Sequence, residues 1–217
     1  MASAEAFTTF LNVIHGIEPD TYDFENDPEG ILVWRKIHET IAKTYPLPLQ
    51  LKSLTIDDVY KVVQEIIKQF AHLIENRGLS KELWSKGKRR DEKSVQRIFF
   101  AVADSYCKAN NLDISPEVDT GTGEIDFKFS VGYDYRILVE VKLSDSSHVV
   151  PGYEKQLEVY KSAEKTTTGI YIVIDIGKMG KKLDRIWEIR NKFLAMSLPA
   201  SEIYVIDGKI KPSASKL

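Results

Sequence analysis

Gly123-Glu-Ile-Asp126-Phe-Lys-Phe-Ser-Val-Gly132-Tyr-Asp-Tyr-Arg-Ile-Leu-Val-Glu140-Val-Lys142-Leu143 is the stretch whose reading decides the fold. Polar and apolar residues alternate on both sides of Gly132, the pattern of two half-buried strands joined by a turn. On the first strand Glu124, Asp126, Lys128 and Ser130 share one face, and Ile125, Phe127, Phe129 and Val131 share the other. On the second, Arg136, Leu138, Glu140 and Lys142 fall opposite Ile137, Val139, Val141 and Leu143. The apolar faces belong to a core, so the acids and the lysine point away from it together. A turn centred near Tyr133 sets Asp126 across from Glu140, with Cβ atoms about 5 Å apart, close enough to share one cation. A slip of one residue would send Asp126 to the wrong face.

Outward from the hairpin, Leu112 to Val118 reads as a preceding strand. Upstream, Val95, Ile98, Phe99, Val102 and Tyr106 form a helical stripe, with Asp91 or a neighbour as its start and Glu92 in its first turn. After the Ser144–Ser147 loop, a helix from about Gly152 to Ala163 carries Tyr153, Gln156, Leu157 and Tyr160 on one face. Thr168 to Ile176 is nearly continuous in apolar residues, as in a strand buried on both faces. A helix with Leu183, Ile186, Trp187, Ile189 and Phe193 follows, then a last strand from Glu202 to Ile206. Asp207-Gly208 signals a turn, and residues 211–217 read as a polar tail.

Residues 1–80 read as an N-terminal helical subdomain, and residues 81–210 as the core. Phe7, Phe10, Leu11 and Ile14 have helical spacing, and Asp27-Pro28 opens a second helix that Pro46-Leu-Pro48 ends. Thr55 with Asp58 forms a capping-box variant. It opens a long helix whose stripe is Val59, Val63, Ile66, Ile67, Phe70 and Ile74, with Gly78 as its stop. The fold class is thus α/β (α+β): a mixed central sheet of about five strands flanked by helices.

Composition sets bounds on function. The chain has 217 residues, 43% of them hydrophobic, enough for a sizeable core. No apolar run approaches the roughly 18 residues of a membrane span, and no basic-then-apolar leader opens the sequence. A single cysteine, Cys107, excludes an internal disulfide framework and fits a reducing, cytoplasmic setting. Its expected place is a helix face. The net charge of −2 is not the bulk signature of a nucleic-acid binder, although phosphate responds to local potential. The densest basic run is Lys86, Lys88, Arg89 and Arg90, read either as a solvated linker or as a phosphate-contacting surface. Lys178, Lys181, Lys182 and Arg185 form a second cluster.

Two acids and a lysine converging on a strand pair suit a divalent cation, since Mg²⁺ or Mn²⁺ takes carboxylate, carbonyl and water oxygens. No zinc-like spacing of histidine and cysteine occurs, and of the four histidines only His148 lies near the motif, as a surface residue.

Gly123-Glu-Ile-Asp126, Glu140-Val-Lys142 and Gln156-x-x-x-Tyr160 together resemble the PD-(D/E)xK nuclease superfamily, whose fold is restriction-endonuclease-like. The resemblance spans roughly Asp91 to Ile176. It implies that Asp126, Glu140 and the Val141 main-chain carbonyl ligate Mg²⁺ or Mn²⁺, that Lys142 works on the attacking water, and that Glu92 is a further metal-side group. It also implies that Gln156 supports the site and that the substrate is a nucleic acid, DNA by the superfamily's habits. Lys86, Lys88, Arg89, Arg90 and Tyr160 are the candidate nucleic-acid contacts. A homodimer or a specificity partner is compatible with the small size.

The proline of the superfamily's name is missing, since Ile125 precedes Asp126. A rival frame pairs Pro116-Glu117 with Asp126-Phe-Lys128, and leaves Glu140 and Lys142 without a role. Two other readings stay open: a non-catalytic module that binds nucleic acid or protein on the same fold, and an interaction protein whose acids and lysine form exposed ion pairs.

Overall fold

The computed structural model describes residues 55–121 and 123–210, together with Asn26 and Gly30. The helices expected over 4–14 and from Asp27, and the tail at 211–217, lie outside the described residues.

Helix α1 (Ile56–Asn76) begins as its sequence dictates. The Thr55 hydroxyl accepts from the Asp58 N–H at 3.3 Å, and Asp58 Oδ2 accepts from the Thr55 N–H at 3.1 Å, so two orphan donors are satisfied reciprocally. Gly78 follows the helix in a left-handed conformation, φ 78°. A 3-10 turn (Leu79–Leu83) leads into a small hairpin of β1 (Trp84–Ser85) and β2 (Lys88–Arg89). The basic run is thus a hairpin rather than a linker. Its two-residue turn has φ 49° at Lys86 and 77° at Gly87, both positive as a primed turn requires. Helix α2 (Glu92–Ala109) starts at an Asp91 N-cap, whose carboxylate accepts from the Ser94 N–H at 2.7 Å.

The main sheet comprises β3 (Asp113–Asp119), β4 (Glu124–Val131), β5 (Tyr135–Leu143), β6 (Gly169–Asp175) and β7 (Glu202–Asp207), in that spatial order. The first three strands form an antiparallel meander, while β5, β6 and β7 run parallel. Parallel neighbours need a crossover. The β5–β6 crossover is a composite helix α3: α-helical over Val149–Pro151, a π turn over Gly152–Gln156, then α-helical over Leu157–Ala163. Helix α4 (Lys182–Ala195) connects β6 to β7.

Both sheet faces are covered. Phe127, Phe129, Ile137, Val139, Val141 and Leu143 pack with α1 and α2 in one core, where Phe99 meets Phe70 edge-on at 5.1 Å. Each such fully buried side chain contributes about 1.5–3 kcal/mol. Leu138, Tyr171 and Val173 pack with α3 and α4 in a second core. Because the α1 stripe enters the same core as the sheet, the boundary drawn at residue 80 does not separate one core from another among the described residues.

Ile125 departs from the expected alternation and joins the second core with Tyr160 and Leu157. The β4–β5 ladder ends at Phe127↔Val139, and beyond it β4 bonds to β5 through the Asp126 side chain instead of its backbone. Among the described residues no helix is long and apolar enough to cross a membrane.

Candidate functional site

On β5, alternation sends Leu138, Glu140 and Lys142 to the side that α3 covers. The acids and the lysine therefore point not to open solvent but under a second layer. Glu140 is only 2% exposed and Lys142 8%. The β4–β5 pairs follow the expected turn as far as Phe127↔Val139, one step short of Asp126 and Glu140. Asp126 Oδ2 accepts from the Val141 N–H at 2.7 Å, which ties the Val141 peptide to the acid.

The helix α2 terminus brings a third carboxylate. Glu92 Oε2 accepts from the Leu143 N–H at 3.3 Å, and Glu92 Oε1 meets Lys142 Nζ at 2.9 Å. The same ammonium stands 2.8 Å from Glu140 Oε1 and 3.8 Å from Asp126 Oδ2. Glu92, Asp126 and Glu140, taken from a helix and two strands, thus each stand within 4 Å of the Lys142 ammonium. Buried as they are, they do not form the exposed ion pairs of the third sequence reading.

The charges do not balance, with three carboxylates facing one ammonium. Burial, and then the neighbouring Glu140, push the Asp126 carboxyl up to about 8, against the pull of Lys142 and the Val141 N–H. Burial also raises the Glu140 carboxyl, with Lys142 pulling the other way. For Lys142 burial disfavours the charge, but Asp126, Glu140 and Glu92 overcome it and hold the ammonium above its ordinary value. Glu140 Oε2 is buried and has no hydrogen-bond partner among the described residues. A buried acceptor left unpaired costs about 1–3 kcal/mol. The arrangement therefore favours a further positive charge, whether a proton or a cation.

Among the described residues, no group of three His, Cys, Asp or Glu side chains is already arrayed around one point as metal ligands. Lys142 Nζ occupies the centre of the carboxylates. Asp126, Glu140 and Glu92 carry carboxylate oxygens, the donor type that Mg²⁺ or Mn²⁺ takes.

Other expected residues are placed less closely. Gln156 ends the π turn, half-buried, and no hydrogen bond joins it to the acids among the described residues. Tyr160 reaches the site's edge: a Cβ on Gly123 would stand 2.7 Å from its hydroxyl, so only glycine fits there. Burial, then Glu140, raises the Tyr160 hydroxyl. Lys86, Lys88 and Arg89 are exposed on the hairpin, and Arg90 is half-buried. His148 is exposed, as expected.

The rival frame fails on geometry, because Glu117 turns outward at φ 48° to pair with Lys93, and Lys128 pairs with Glu164 at 3.3 Å.

Two residues escaped the sequence reading. Tyr171 is the parallel neighbour of Glu140 on β6 and bonds through its hydroxyl to the Val149 carbonyl at 2.8 Å. A tyrosine inside an otherwise aliphatic run was its signal. Asp145 holds Arg89 Nε at 2.6 Å, an ion pair that residue spacing does not announce.

No curated protein and no solved structure matches the chain. The family model described as a domain of unknown function, DUF8371, matches residues 59–178. That span holds Glu92, Asp126, Glu140 and Lys142, and it covers more than half of the sequence, so the chain belongs to the DUF8371 family.

Proposed function

We propose that this chain is a divalent-metal-dependent nuclease that hydrolyses phosphodiester bonds in DNA on a restriction-endonuclease-like core. The carrying observation is the cluster of buried Glu140 and Lys142 with half-buried Asp126 and Glu92, its excess of negative charge and Glu140 Oε2, which has no hydrogen-bond partner among the described residues. Supporting features are the antiparallel meander, the α3 crossover to parallel β6, and an acid at the start of α2.

Asp126, Glu140, the Val141 carbonyl and Glu92 would hold Mg²⁺ or Mn²⁺. Such an ion, when bound, polarises the phosphate and lowers the pKa of a bound water. Lys142, as an ammonium, donates hydrogen bonds to the attacking water or to a phosphate oxygen and offsets the charge that builds there. The Asp126–Val141 bond fixes the β5 peptide against which the substrate settles. Gln156 and Tyr160 lie on the covering helix.

A second reading has its own observation. Lys142 pairs with all three carboxylates, so the set also describes a self-neutralising ion cluster on a non-catalytic binding module. Titration calorimetry with MgCl₂ and MnCl₂ separates the two. The nuclease reading expects heat from the wild type and none from Asp126→Ala. Equal heats in both proteins would sink it. Plasmid cleavage then tests the chemistry, and nicking that survives Lys142→Ala would rule out the role given to the lysine.

A further inference from the structure

β5 leaves the site at Lys142 and turns at once through Ser144 and Asp145. Two basic segments, far apart in sequence, are fastened to that turn. From the β1–β2 hairpin, Arg89 donates through Nε to Asp145 Oδ2 at 2.6 Å and through Nη1 to the Arg90 carbonyl at 3.2 Å. From the segment entering α4, Lys182 donates to the Ser144 carbonyl at 2.7 Å, and the Ser144 hydroxyl donates to the Gly177 carbonyl at 2.5 Å. Lys86 and Lys88 stand exposed on one side of the turn, and Lys178 and Lys181 on the other. The whole chain carries a net charge of −2, so this gathering of cations is local. Asp145 lies three positions after Lys142, at most about 10 Å of chain.

Asp145 is poorly satisfied where it sits. Its Oδ1 is buried and has no hydrogen-bond partner among the described residues, while Oδ2 is spent on Arg89. A carboxylate held with one oxygen unpaired is a weak competitor for a guanidinium that prefers two parallel bonds to one anion. Lys182 rests on main-chain carbonyls, which leave its charge uncompensated.

We propose that the Ser144–Asp145 turn joins the two basic segments into one track for the phosphate backbone of a nucleic acid, and that Asp145 occupies Arg89 until a phosphate displaces it. Asp145 thereby sets the affinity of the track and lets a strand in only where a phosphate can replace it beside the acids. The inference deepens the nuclease reading and rests on it for the choice of a nucleic acid over other polyanions.

The test is fluorescence anisotropy of a labelled DNA duplex in EDTA, where binding is read without metal or cleavage, over a series of salt concentrations. Asp145→Asn is expected to tighten binding several-fold. Arg89→Gln and Lys182→Gln are each expected to weaken it and to lower the salt slope by about one. Because Asp145→Asn also removes a negative charge, Glu65→Gln on α1 serves as the charge control and should leave binding nearly unchanged. In the double variant Asp145→Asn with Arg89→Gln the tightening should vanish, since the guanidinium to be released is gone. Should Arg89→Gln unfold, Arg89→Lys reads the same loss of the two-pronged contact.

Binding unchanged or weakened in Asp145→Asn, or tightening that persists in the double variant, overturns the clamp. Equal affinity for vesicles containing phosphatidylserine overturns the assignment to nucleic acid. Because the series is read in EDTA, its outcome does not depend on metal binding or cleavage, so failure of the track and failure of the nuclease reading are told apart.

Discussion

Asp126 Oδ2 accepts the Val141 N–H at 2.7 Å, so a carboxylate on β4 replaces a backbone acceptor at the end of the β4–β5 ladder. The same side chain thus ends the β4–β5 ladder and faces Lys142. The two duties separate by substitution. Asp126→Asn keeps a carbonyl oxygen for Val141 and is expected to hold stability close to that of the wild type while losing Mg²⁺ binding. Asp126→Ala leaves a donor unpaired and should cost about 1–3 kcal/mol by urea denaturation. Equal destabilisation by both variants would show that the Val141 bond carries no stability.

Lys142 is the one cation among three carboxylates. Lys142→Met removes it with little change in volume and leaves Glu140, Asp126 and Glu92 without the ammonium they share. The expected loss is about 3–5 kcal/mol at neutral pH, the usual cost of breaking a buried pair from one side. Acid should recover some of it by protonating the carboxyls. A thermal scan at two pH values checks both statements.

The pH profile follows from Asp126, whose carboxyl is raised from 3.8 to about 8 by burial and by Glu140. Between those values the folded protein keeps a proton that the unfolded chain has lost, so stability falls as pH rises. The contribution is full below about pH 4 and gone above about pH 8. For one proton the slope is about −1.4 kcal/mol per pH unit at most. Asp126→Asn should flatten that region of the profile. Mg²⁺ affinity should move the opposite way and strengthen as pH rises toward 8, since the ion competes with the proton.

The covering helix sits tightly on β6. A Cβ on Gly152 would stand 2.6 Å from the Tyr171 hydroxyl, while Gly152 itself has an ordinary helical backbone, φ −60°. Gly152→Ala should therefore destabilise by about 1–3 kcal/mol through overpacking alone. Tyr171→Phe removes the clashing atom along with its bond to the Val149 carbonyl. Combined with Gly152→Ala, it should recover some of the loss, visible as non-additivity in a double-mutant cycle.

Where the acids stand was readable in one dimension because a hairpin is local. Alternation about Gly132 and the turn length fix which residues face each other, and the β4–β5 pairs from Val131↔Tyr135 to Phe127↔Val139 follow that count. The Thr55–Asp58 capping pair and a helix start at or near Asp91 were legible for the same reason, since cap and helix are neighbours in sequence. The α2 stripe likewise oriented Glu92 toward the sheet.

Taken alone, the amino-acid order dictates the succession of elements, the faces of the hairpin and the identity of the converging charges. Folding settled the rest. It buried the acids beneath α3, drew α1 into the sheet's core, turned Ile125 to the opposite layer and set Arg89 on Asp145. Local patterns record period and neighbour, whereas burial, charge compensation and long-range ion pairs depend on which layer arrives on top. Lys142 shows the difference: its place on the strand is written in the alternation, and its three carboxylate partners exist only once α2, β4 and β5 have met.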